Sequence, residues 1–71
     1  MSESVYKVIE LVGASSESWE KAAKNAVEKA AKSLRDLRIV EVKKLDMKLE
    51  DGKVASFRAR INVSFKYKGG D

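Results

Sequence analysis

Leu37-Arg38-Ile39-Val40-Glu41-Val42-Lys43-Lys44-Leu45-Asp46-Met47-Lys48-Leu49, then Glu50-Asp51-Gly52-Lys53, then Val54-Ala55-Ser56-Phe57-Arg58-Ala59-Arg60-Ile61-Asn62-Val63-Ser64-Phe65-Lys66-Tyr67 is a long β-hairpin written in full. Asp-Gly between two β patterns marks the turn, because glycine adopts positive φ without steric cost. The second arm alternates cleanly. Phe57, Ala59, Ile61, Val63, Phe65 and Tyr67 take one face, and Ser56, Arg58, Arg60, Asn62, Ser64 and Lys66 the other. The first arm does not: its apolar residues are even-numbered at Val40 and Val42, then odd-numbered at Leu45, Met47 and Leu49. A period of two changes phase only at a bulge or where the environment changes sides. Either a bulge at Lys43-Lys44 restores partners for Phe57, or the hairpin tip buries its other face against a neighbouring subunit. The chain's small size favours the second.

Working outward, Ser4 to Val12 reads as a strand ended by Gly13, with Val5, Ile9 and Leu11 alternating with Tyr6, Val8 and Val12. Apolar on both sides, it is expected to be covered on both. Ser15, Ser16 and Ser18 then offer helix-capping oxygens, and Glu17 and Glu20 place charge where the helix dipole favours anions. Trp19, Ala22, Ala23, Ala26, Val27, Ala30, Ala31 and Leu34 recur at steps of three and four, predicting a helix over 17–34. Its outer face pairs Glu17 with Lys21, Glu20 with Lys24 and Glu28 with Lys32 in the favourable order. A stripe this rich in alanine brings the helix axis close to the sheet. Residues 1–3 and 68–71, including Gly69-Gly70-Asp71, read as frayed ends of one domain spanning 1–71.

A chain of 71 residues buries a marginal core, about 60% of the surface it exposes when unfolded. Small domains are rescued by disulfides, by metals or by self-association. With no cysteine and no histidine, disulfides, thiolate zinc sites and the commonest nucleophile–base pairs are excluded. A homo-oligomer is the expectation. No apolar run approaches the ~20 residues of a membrane span, and no secretory signal pattern precedes Val5, so a cytoplasmic protein is expected. The net charge of +4 comes from 15 basic and 11 acidic residues intermixed, which favours anions mildly without singling out nucleic acid. Lys21, Lys24, Lys29 and Lys32 read as a solvated helix face, and no nucleic-acid-binding motif accompanies them.

Val5-Tyr6-Lys7-Val8-Ile9-Glu10-Leu11-Val12-Gly13, Ser15/Ser16, Ser18-Trp19-Glu20 with Ala22, Glu41-Val42, Asp51-Gly52 and Val63-Ser64-Phe65-Lys66 together resemble the dodecins, in order and over essentially the whole chain. The resemblance implies an α+β fold, β-α-β-β, whose three-stranded antiparallel sheet curls around one helix. It also implies a hollow homododecamer that buffers flavin (FMN or riboflavin) at subunit interfaces without catalysing a reaction. In that family a tryptophan three residues before the valine of the Glu-Val pair stacks on the flavin, and a glutamine on the last strand hydrogen-bonds the ring edge. Here those positions carry Ile39, flanked by Arg38 and Glu41, and Arg58. Ile39 has no π-face, and Arg58 offers donors where an amide offers both donor and acceptor. Flavin binding is therefore expected to be weak or absent.

Three functions remain in view: a small-ligand store, a flavin-free shell holding a divalent cation or another anionic ligand, and an enzyme. No nucleophile–base spacing supports the last. Asp46 and Glu50 are the carboxylates nearest a cation role, without the residue order of a calcium loop. Arg58, Arg60 and Asn62 share a strand face, which either contacts an anion or ligand or is a solvated face, or one ion-paired with Glu41 or Glu10 of another subunit. Trp19, at the head of the helix stripe, reads as packing rather than as a ligand platform.

Overall fold

In the computed structural model, which describes residues 5–66, the hairpin turns on two residues: Asp51 (φ 54°) and Gly52 (φ 75°). Positive φ at both central positions is the geometry whose twist matches the flanking strands. The elements run β1 (Tyr6–Ser15), α1 (Trp19–Ala31), β2 (Leu37–Glu50) and β3 (Lys53–Lys66), in an antiparallel sheet of order β1-β3-β2. The expected β-α-β-β fold is present. The starting Ser4, the final Tyr67 and the frayed ends lie outside the described residues.

The phase change in β2 has a local cause. Three irregularities interrupt the β2–β3 ladder, between Leu37 and Ile39, Val42 and Lys44, and Lys48 and Leu49. The last leaves Ala55 of β3 unpaired, and the middle one leaves Lys43 of β2 unpaired. Between these two bulges the register is displaced by one residue, so Leu45 faces Ala59 and Met47 faces Phe57; beyond Lys43 it returns, and Val42 faces Ile61. Val40, Val42, Leu45, Met47 and Leu49 thus share the face carrying Ile61 and Val63, while Ile39 alone among the apolar residues of β2 takes the other. The expectation that the tip turns its other face to a neighbour is overturned. A bulge does the work.

Alpha-helix α1 is shorter than 17–34. Ser18 is its N-cap, accepting at Oγ from Lys21 N–H at 3.0 Å. The last turn closes where Ser33 and Leu34 both donate to Ala30 O. Of the expected ion pairs, Lys21–Glu17 forms at 3.8 Å, while Lys24 turns to Glu28 at 4.0 Å instead of Glu20. Ala31 is exposed, so the stripe that packs is Ala22, Ala26 and Ala30. Strand β1 runs through Gly13 rather than ending there: Gly13 pairs with Ala59 and Ser15 with Phe57. A Cβ on Gly13 would sit 3.0 Å from Ala26 Cβ and closer still to Ala22 O, so glycine serves here to let the helix approach the sheet.

The core is small: Ala22, Ala26, Ala59, Ile61 and Val63, bordered by Ile9, Leu11, Ala23, Val27 and Leu37. The helix covers β1 and β3 and barely reaches β2. Val40, Val42, Leu45, Met47 and Leu49 therefore stay 38% to 59% exposed on the helix side of the sheet. Only one face of β1 is covered, since Tyr6, Val8 and Val12 are about half exposed, against the two-sided burial expected. The hairpin projects as an arm. The described chain measures 54 × 20 × 17 Å with a radius of gyration of 14.7 Å, against about 11 Å for a compact chain of this length.

Candidate functional site

The sheet face turned away from α1 collects the polar side chains. Along β3 it carries Arg58, Arg60, Asn62 and Ser64, opposite Asp46, Lys44, Glu41 and Ile39 of β2. Ile39 takes this face by plain alternation with Val40 and Glu41, and the bulge at Arg38 is what sets Leu37 on the opposite face, across from Phe65. Ile39 is two-thirds exposed, and its carbonyl accepts from Ser64 Oγ at 3.4 Å. Glu41 faces Asn62 and pairs with Lys43 at 3.9 Å.

Arg58 lies at the other end of the face. It is six positions from Ser64 along β3, about 20 Å at the rise of a strand. Within one chain, Arg38, Ile39 and Glu41 form one group and Arg58 belongs to another. A single small ligand reaches both only where two copies meet.

What the structure does bring together is Arg58 and Asp46. Arg58 Nε donates to Asp46 Oδ1 at 2.7 Å and its Nη2 to Oδ2 at 2.9 Å, a planar two-bond fork. The hydrogen bond from Arg58 holds the Asp46 carboxyl below the usual carboxylate range, opposed by partial desolvation and reinforced by the charges of Arg58 and Arg60. The same hydrogen bond raises Arg58. The neighbouring backbone is held from the other side of the sheet. Trp19 Nε1–H donates to the Asp46 carbonyl at 3.0 Å, and the Trp19 ring meets Phe57 edge-on with centroids 5.0 Å apart. Trp19 is thus a half-buried packing residue that ties the helix N-terminus to β2, as its place in the stripe suggested.

Within the chain, Arg58 is engaged by Asp46, and Asp46 places both carboxylate oxygens in that pair. Glu50, the other carboxylate singled out, makes a looser contact with Lys48 at 3.8 Å near the hairpin tip. Among the described residues of one chain, no three carboxylates gather as a metal site would need. The pairing of Asp46 with Arg58 was not foreseeable from alternation alone. The Asp-Gly turn by itself sets Asp46 opposite Phe57, and only the unpaired Ala55 slides Arg58 into place.

A second feature is apolar. A groove of about 560 Å³ opens between the C-terminal half of α1 and β1, lined by Ile9, Leu11, Ala26, Ala30 and Leu34, with Lys29 at its rim. It lies on the β1 side of the helix, whereas the uncovered apolar face of β2 lies on the other.

The sequence model of the family described as Dodecin matches residues 5–68. The chain is 42% identical over 65 residues to the calcium dodecin of Mycobacterium tuberculosis, covering 92% of each. Among solved structures, the dodecin from Streptomyces coelicolor superposes with a TM-score of 0.91 at 34% identity, covering 99% of this chain and 100% of that one. The crystal structure of the M. tuberculosis calcium dodecin, described as a calcium-chelating antigen with a novel calcium-binding site, gives a TM-score of 0.84 at 40% identity, covering 96% and 97%.

Proposed function

The chain belongs to the dodecin family, and from that premise we propose that it is a non-enzymatic, homo-oligomeric small-ligand holder whose cargo is a divalent cation rather than a flavin. The Arg58–Asp46 fork carries this reading. At the position where the family resemblance implies an amide that both donates to and accepts from a flavin ring edge, this chain has a guanidinium with two of its donors already engaged. Ile39, at the position of the stacking aromatic, contributes apolar area but no π-face. Neither half of a flavin site is supplied.

Self-association is supported by the two uncovered apolar surfaces. The β2 face and the α1–β1 groove lie on opposite sides of the helix, so a copy contributing its arm to the next copy's groove still has a groove to offer. Such head-to-tail contacts close into rings or shells when the rotation permits. The cation reading is supported by the calcium dodecin relative at 42% identity and by the chemistry of carboxylates, which hold hard cations through oxygen. Because three carboxylates do not gather within the described part of one chain, the cation is assigned to seams where carboxylates of different copies converge. Glu50 is freer to take part than Asp46.

Calorimetric titration of the metal-stripped oligomer with calcium, beside a riboflavin fluorescence titration, tests the proposal. Saturable calcium uptake with unquenched riboflavin is expected. Stoichiometric riboflavin quenching without calcium heat would reverse the assignment.

A further inference from the structure

The other ion pairs among the described residues are single contacts at 3.8 to 4.0 Å, the reach of mobile surface side chains. The Arg58–Asp46 pair differs in kind. Two parallel N–H···O bonds of 2.7 and 2.9 Å are the geometry by which a guanidinium receives any carboxylate or phosphate. Arg58 remains partly exposed, with Arg60 two positions along the same face. Without Asp46 it would be an oxyanion receptor open to solvent.

Asp46 is also held in place. Its carbonyl is fixed by the Trp19 indole, and the bulges at Ala55 and Lys43 bracket the segment whose shifted register sets Asp46 opposite Arg58. A carboxylate anchored at backbone level needs little further ordering to occupy the fork, whereas a free anion must be immobilised to do the same.

We propose that Asp46 is a specificity-determining residue: it fills the Arg58 fork as a built-in oxyanion, so the outer sheet face accepts neutral or cationic ligands and turns away phosphate- and carboxylate-bearing ones. This deepens the ligand-holding role above and rests on it only for identifying this face as the one that meets ligand. The selectivity is electrostatic and geometric together. An entering phosphate meets a guanidinium that is already neutralised by two bonds to Asp46.

Inorganic phosphate, titrated calorimetrically into the oligomer at fixed low ionic strength, tests the inference on the parent protein, Asp46→Asn and Asp46→Asn/Arg58→Gln. Asp46→Asn is expected to bind phosphate at least about tenfold more tightly than the parent, because a charge-assisted fork has been freed. The double variant is expected to return to the parent value. Equal affinity of Asp46→Asn and parent, or a gain that survives loss of Arg58, overturns the proposal. The substitution keeps the backbone carbonyl that Trp19 uses, so Trp19 fluorescence and oligomer mass check the fold independently. Should Asp46→Asn fail to assemble, Asp46→Ser carries the same expectation. Calcium titration of the parent reads the broader assignment separately. A phosphate gain without calcium uptake would leave the role of Asp46 standing while removing the cation cargo.

Discussion

Replacing Gly13 by alanine attacks the closest approach in the molecule. The added Cβ would sit 3.0 Å from Ala26 Cβ and from Ala22 C, and nearer than that to Ala22 O. Two of these atoms are helix backbone, so no rotamer change relieves the contact; the helix must move by more than an ångström or β1 must buckle. Overpacking of this kind costs about 1–3 kcal/mol. Lifting α1 also stretches two bonds that tie it to the sheet, Trp19 Nε1 to Asp46 O and Asn25 Nδ2 to Ala14 O, each 3.0 Å long. Each contributes about 0.5–1.5 kcal/mol. The total, about 2–6 kcal/mol, is a large share of what a chain of this length has to lose. Urea unfolding followed by Trp19 fluorescence, at one fixed protein concentration because assembly adds stability by mass action, measures it. A G13A variant with an unfolding midpoint matching the parent's would refute the account of how helix and sheet are spaced.

The remaining predictions concern charge, cargo and assembly. Because the folded-state pKa of Asp46 is depressed by the Arg58 hydrogen bond, its contribution is fully present above the ordinary aspartate range and is lost as pH falls through the folded value. Acid unfolding profiles of parent and Asp46→Asn should converge at low pH and separate above about pH 4. Ile39→Trp combined with Arg58→Gln restores a π-face and an amide, and should produce riboflavin quenching that the parent lacks; an unchanged titration would show that the cavity between copies differs in shape. Leu45→Asp places a charge at the centre of the uncovered β2 face and should shift the mass distribution toward smaller species in light scattering. An unaltered mass would mean that face is not a contact between copies.

Much of this architecture was legible in the residues. The alternation of Phe57 to Phe65, the Asp-Gly turn and the alanine stripe of α1 each reflect one local periodicity, and each element appears. Gly13 misled because glycine serves two purposes. A strand terminator and a site of close approach look alike until the helix is placed over the sheet. The phase change in β2 was visible, but two offsetting bulges, one on each strand, cannot be separated from a change of partner by reading one strand alone. The same slip concealed the Asp46–Arg58 fork. Cross-strand pairing depends on every irregularity between the turn and the residue in question, and Ala55 carries no composition signal that marks it as unpaired. Arg38, Ile39 and Glu41 were singled out as a group and do share one end of the sheet, while their separation from Arg58 follows from strand length.

The proposed assembly has copies of this chain cover the apolar face of β2 and the groove beside α1. Sedimentation velocity of the purified protein at low micromolar concentration, with circular dichroism on the same sample, measures this directly. The account predicts folded protein sedimenting as a closed assembly many times heavier than the 7.9 kDa chain. A folded species at the mass of one chain, persisting across concentrations, would contradict it.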